Sequence, residues 1–172
     1  MNIFKNKTSK GFTIIELIVV IAIITVLSAI VMTNVTAYQK KARNAARLST
    51  VRNYLTALEI AYENNGNYPS NAPVTYCCLG SGNIGGQCWG SSSYAECTVA
   101  NNTLRPFFAV PTDKYPVMGS NGVDYRGILY NYSGGQINLY WILEGTNQSC
   151  GIVNALSGNF LNNTYCLYRK KL

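Results

Sequence analysis

The sequence predicts an α+β fold: a long N-terminal α-helix, apolar in its first half and amphipathic in its second, packed against a C-terminal antiparallel β-sheet. Three observations carry this. No Gly or Pro interrupts the chain between Phe12 and Asn65. Leu48, Val51, Leu55, Leu58 and Tyr62 recur at spacings of 3, 4, 3 and 4, which places them in one helical stripe. Beyond Pro69 the chain turns to short alternating segments, two of them separated by the hairpin signal Ser133-Gly134-Gly135.

Residues 1–11 form a short basic leader, with Lys5, Lys7 and Lys10 and no acid. From Phe12 to Met32 the chain is apolar apart from Thr13, Glu16, Thr25 and Ser28. A run of about 20 residues suits a helix crossing roughly 30 Å of hydrocarbon. A secretory signal has a shorter apolar core and a small-residue cleavage site, and nothing after Met32 looks like one. Residues 12–33 are therefore expected to stay on the protein as a membrane-spanning helix. Lysines precede the run and Lys40, Lys41, Arg43 and Arg47 follow it, so charge alone leaves the orientation open.

Residues 34–65 continue the helix as its amphipathic half. Arg47, Arg52, Glu59 and Glu63 lie off the apolar stripe, and Asn64-Asn65-Gly66 supplies a left-handed stop before Pro69. The whole helix would be about 53 residues and roughly 80 Å long. Residues 66–172 form the globular part. Residues 67–101, rich in Gly, Ser and Cys, read as an irregular loop braced by disulfides. A short helical turn is expected between Asn102 and Val110. Strands are expected at Gly127–Tyr132, Gln136–Leu143, Gly151–Asn154 and Thr164–Arg169, laid over Leu48 to Tyr62.

Composition narrows the function. Only 12% of residues are charged, against roughly a quarter in ordinary soluble domains, while 48% are apolar. The net charge is +7, and the chain has no His, so it lacks the usual general base and the commonest metal ligand. No cofactor and no enzymatic activity are expected. Cys77, Cys78, Cys88, Cys97, Cys150 and Cys166 all lie downstream of the apolar run, an even count that favours disulfides in an oxidising compartment. That puts the C-terminal side outside the cytoplasm. Cys150 with Cys166 would close the C-terminal loop. Cys77 or Cys78 with Cys88 would make a local pair, and the remaining pair would include Cys97.

Other motifs are weak. Gly80-Ser-Gly82-Asn-Ile-Gly85 spells GxGxxG, but without the strand, the helix and the later acid that a dinucleotide site needs. No CxxC supports zinc. Asp113, Asp124 and Glu144 could serve calcium only if the fold gathered them. Asn131 and Asn162 begin Asn-x-Ser/Thr triplets, in a chain where such triplets arise by chance. The cluster Lys40, Lys41, Arg43 and Arg47 reads first as a solvated or subunit-contacting face, and second as a phosphate contact for lipid or nucleic acid.

Glu16 is the one carboxylate in the apolar run, and its context is specific. Gly11-Phe-Thr-Ile-Ile-Glu16-Leu resembles the processing motif of prepilins, the precursors of type IV pilins and of type II secretion pseudopilins. Asn65-Gly66-Asn67-Tyr68-Pro69 after the helix also resembles pilin-like proteins. The resemblance implies a pilin-like fold, leader cleavage between Gly11 and Phe12, N-methylation of the new amine of Phe12, and an assembly role for Glu16. It implies as partners copies of the chain in a helical filament, a prepilin peptidase and methyltransferase, an inner-membrane assembly platform, and the lipid bilayer before assembly. It places the chain first in the cytoplasmic membrane as a single-pass protein with the globular part outside, then in an extracellular pilus or envelope filament. Phe12 and Glu16 lie four apart, which places them on the same helix face. A carboxylate meeting a neighbour's amine in low dielectric would favour one stagger of stacked helices. Three alternatives stand beside the pilus subunit: a secretion pseudopilin, a single-pass membrane protein that does not polymerise, and a DNA receptor using the basic stem.

Overall fold

A computed structural model of the chain describes residues 11–72, 74–80, 89, 94–110, 117–119 and 123–171; the side chains of 30–34 and 118 are not included. Residues 1–10 of the leader, Cys88, Asp113 and most of the Gly80–Gly85 run lie outside the described residues. The chain divides into two compact units, one reaching Gln39 and one running from Lys40 to Leu172. Helix α1, Ile14–Asn65, contributes to both.

In the first unit, the described helical residues up to Ala29 are exposed on every side, including Ile14, Ile18, Ile21 and Ile24. Among the described residues no helix is long and apolar enough to cross a membrane. The expected span also includes Ile30, Val31 and Met32, whose side chains lie outside the description.

In the second unit, the element order after α1 is β1 (Cys77–Leu79), α2 (Thr98–Leu104), β2 (Val117–Met118), β3 (Asp124–Tyr125), β4 (Ile128–Ser133), β5 (Gln136–Leu143), β6 (Leu156–Phe160) and β7 (Asn163–Lys171). Five strands form an antiparallel sheet in the order β1-β4-β5-β7-β6, and β2 pairs with β3 separately. The arrangement is α+β and pilin-like, as the sequence predicts. Gly134 and Gly135 turn β4 into β5 with positive φ, the mirror-image turn that matches strand twist.

Alternation decides which side chains face the helix. Tyr130, Ile137, Leu139, Trp141, Leu143 and Cys166 share one sheet face and one core with Val51, Tyr54, Ala57, Leu58 and Ala61 of α1. The buried line of α1 therefore lies about one residue off the stripe read from the sequence. Leu48, Leu55 and Tyr62 flank it, half-buried. Ala57 and Ala61 belong to this buried line, and a count of large apolar residues overlooks them. The opposite sheet face carries Leu129, Tyr140 and Ile142 under partners that include Tyr76, Trp89 and Tyr94.

Two expectations are corrected. Gly151–Asn154 is not a strand, because Gly151 and Asn154 both hold φ of 63°. A Cβ on Gly151 would also come within 2.9 Å of Leu48. The strand lies instead at Leu156–Phe160. The short helix starts at Thr98 rather than Asn102, anchored where the Asn101 N–H donates to the Cys97 carbonyl at 2.8 Å. Pro106, which cannot continue a helix, follows its C-cap Arg105.

The structure pairs Cys150 with Cys166, the loop-closing pair, and Cys77 with Cys97. Cys78 is also disulfide-bonded.

Candidate functional site

The N-terminal end of α1 is built by a reciprocal cap. Thr13 precedes the first helical residue, and its backbone N–H and its hydroxyl both donate to Oε2 of Glu16, at 2.9 and 2.8 Å. The Glu16 N–H returns a bond to the Thr13 hydroxyl at 3.3 Å. Thr-x-x-Glu is the capping box, which satisfies N–H groups that no helical carbonyl reaches. The carboxylate also sits at the positive end of the helix dipole. Both Thr13 bonds fall on one oxygen of Glu16.

This geometry corrects one expectation. Phe12 lies outside the helix, one residue before the cap, so it does not share a helical face with Glu16 through a four-residue spacing. The cap starts the helix at Ile14, two residues later than the apolar run suggests. Gly11 and Phe12 are both exposed, and no atom lies within 4 Å of where a Gly11 Cβ would stand.

Within the second unit, α1 is tied to the sheet by a polar clamp at the end of β5. Arg43 donates from Nε and Nη2 to the two carboxylate oxygens of Glu144, each at 2.6 Å. Arg47 adds a bond from Nη1 at 3.1 Å. Between them, Asn44 grips the backbone of Glu144, receiving its N–H at 2.9 Å and donating to its carbonyl at 3.0 Å. Burial alone would push the Glu144 carboxyl up. Hydrogen bonds from Arg43 and Arg47, reinforced by their charges, outweigh it and hold the group below its usual range. One turn further on, Arg52 donates to the Gly151 carbonyl at 2.9 Å.

The basic cluster therefore splits. Arg43 and Arg47 are engaged by Glu144, while Lys40 and Lys41 are exposed. Sequence reasoning missed the clamp because its two sides lie about a hundred residues apart. The acids considered for calcium do not converge either: Asp124 pairs with Arg126 at 2.7 Å, and Glu144 faces the arginines. Among the described residues no group of His, Cys, Asp or Glu is placed to hold a metal.

The Asn triplets are also engaged internally. Asn131 is buried, donates to the Thr75 carbonyl at 2.6 Å and accepts from Asn138 at 2.9 Å. Thr164, the third residue of the Asn162 triplet, donates to the Gly145 carbonyl and accepts from the Gln148 N–H, both at 2.8 Å. At the far end of α1, Glu59 accepts from Lys170 at 2.6 Å and from the Tyr68 hydroxyl at 3.0 Å, which ties the last strand to the helix.

Comparison with known proteins agrees with this N-terminal architecture. A family model described as the prokaryotic N-terminal methylation motif matches residues 6–32. The type IV wide pilus major component PilA4 of Thermus thermophilus is 35% identical over 65 residues, 38% of this chain and 50% of that protein. The chain thus spans about half the length of the curated relative it matches. No solved structure matches the chain. Its N-terminal segment thus carries the prokaryotic N-terminal methylation motif and is similar there to a type IV pilus component.

Proposed function

We propose that the chain is a structural subunit of a type IV pilus-like filament, made as a prepilin and assembled through its N-terminal helix. The observation that carries this is the apolar helical segment under the methylation motif. From Ile14 to Ala29 it is exposed on every side. At about 25 cal/mol per Å2, so continuous an apolar surface is unstable in water. A bilayer before assembly and neighbouring helices after it would each cover it.

The likeness to a major pilus component supports the pilin reading over a secretion pseudopilin. The leader would be cut between Gly11 and Phe12 and the new amine methylated. Glu16 keeps Oε1 free of the cap, so that oxygen is available to the amine of another subunit. The filament would serve a surface role such as adhesion, twitching motility or DNA uptake. The subunit itself would be non-enzymatic, a substrate of its peptidase and methyltransferase.

Mass spectrometry of the purified chain, paired with electron microscopy of shed filaments, tests the proposal. The expected result is an N-terminus at Phe12 carrying one extra methyl group, in filaments that contain this chain. An intact leader on the surface-exposed protein, or filaments lacking the chain, would overturn it.

A further inference from the structure

The five-stranded sheet has two edges, and among the described residues only one is covered. Outside β1, the Cys78 N–H donates to the Ala95 carbonyl and the Cys97 N–H donates to the Cys78 carbonyl, both at 2.9 Å. The other edge is β6, whose five residues are all exposed. The two-residue turn Leu161-Asn162, with φ of 49° and 64°, makes Phe160 and Asn163 a hydrogen-bonded pair. Bonding then alternates along the ladder, so the backbone groups of Ser157 and Asn159 point away from β7 into open solvent.

Monomeric proteins guard such an edge with charge, proline or a bulge. Leu156-Ser-Gly-Asn-Phe160 has none of these, and no charged residue occurs anywhere from Gly145 to Tyr168. Leu156 and Phe160 remain 60% and 42% exposed, and nearby Val153 is 81% exposed.

We propose that β6 is a homotypic docking edge, at which two copies of this chain pair their β6 strands antiparallel about Gly158. The strand is self-complementary in that register. Ser157 of each copy faces Asn159 of the other, so their outward N–H and carbonyl groups form four backbone hydrogen bonds. On the face opposite the core, each Leu156 lies across from the other copy's Phe160, an apolar cross-strand pair made twice. Between them, Gly158 meets Gly158 without side-chain obstruction. Among the described residues beyond its chain neighbours, no atom lies within 4 Å of where its Cβ would be.

Charge does not oppose this occupant at the edge, although it does elsewhere. Residues 40–172 carry eleven Lys and Arg against six Asp and Glu. Glu59, Asp124 and Glu144 are paired within the chain. Copies therefore repel over much of their surface, and the uncharged edge is where two can approach. A twofold contact cannot extend a filament whose subunits all point one way. The pairing thus links chains of opposite direction and, on the pilus reading above, joins neighbouring filaments side by side.

The test uses the full-length chain in detergent micelles, with dimer content read by sedimentation. Wild-type chain should form dimers, and Leu156→Lys, Phe160→Glu and Gly158→Lys should each lower the dimer fraction at least tenfold. Mixing the Leu156→Lys and Phe160→Glu chains should restore dimers, because the register sets the new lysine opposite the new glutamate. Absence of wild-type dimers, dimers indifferent to all three changes, or failure of the mixture would each overturn the proposal. This measurement does not depend on filament formation, so it stands or falls apart from the pilus reading.

Discussion

Replacing Glu144 by Gln keeps the shape of the clamp and removes its charge. Arg47 and Glu144 expose only 10% and 12% of their side chains, whereas Arg43 exposes 28%. Removing one partner of a buried ion pair costs about 3–5 kcal/mol, because the other charge stays buried. Two considerations lower that range here. The Arg43 side of the network is discounted for solvent screening, and the Asn44 bonds to the backbone of residue 144 survive the change. About 2–3 kcal/mol remains. Urea unfolding of the full-length chain in micelles, followed by tryptophan fluorescence, would read it as a lower midpoint. The pH dependence supplies a second reading. The folded carboxyl is depressed from 4.5, so its contribution is complete above that value and is lost as pH falls through the depressed folded value. The gap between wild type and Glu144→Gln should therefore be widest near neutrality and close in acid. A neutral-pH difference below about 0.5 kcal/mol, the range of ordinary surface changes, would refute the reasoning.

Tyr54 gives an expectation of opposite sign. Its hydroxyl is buried without a hydrogen-bond partner among the described residues, and burial pushes its ionisation up. Tyr54→Phe keeps the ring edge-on to Phe108 and should leave stability unchanged or raise it by about 1 kcal/mol in the same titration, since an unsatisfied buried hydroxyl carries a desolvation cost. A loss above that size would reveal a partner for the hydroxyl. The Cys150–Cys166 bridge joins residues 16 apart, and replacing both by Ala should cost about 3 kcal/mol by chain entropy. Unfolding midpoints of the wild-type and doubly substituted chains measure it, and no loss would count against the bridge as a brace.

The parts of the fold legible in sequence were those with local periodicity. The long helix shows as an uninterrupted run free of Gly and Pro, and β4, β5 and β7 show as alternating segments around a Gly-Gly turn. β6 escaped because Leu-Ser-Gly-Asn-Phe contains no β-branched residue, while the better apolar run beside it, Gly151-Ile-Val, is bent by a left-handed glycine. β1 escaped because Cys-Cys-Leu is too short to show a period. At the site, Thr-x-x-Glu spells a cap in the sequence, but the apolar residues on both sides of it hide where the helix begins. The clamp was not readable at all: nothing local to Arg43-Asn44 or Arg47 points to Glu144, and only the sheet brings them together.

The cap also changes what Glu16 has to do. If the carboxylate served only as a docking charge, an unassembled subunit would carry it unsatisfied in apolar surroundings, at a cost of several kcal/mol. The Thr13 bonds relieve that cost before any partner arrives, and they use one oxygen only. A carboxylate has about four acceptor positions, so a neighbour's amine could bind Oε1 without breaking the cap. Capping and docking would then be additive demands on one side chain. On the proposed function, Gln at position 16 keeps an acceptor for Thr13 but loses the charge, whereas Leu loses both. Helix capping alone would leave assembly by the Gln form close to normal. Docking requires that form to be impaired although its helix still starts at Ile14.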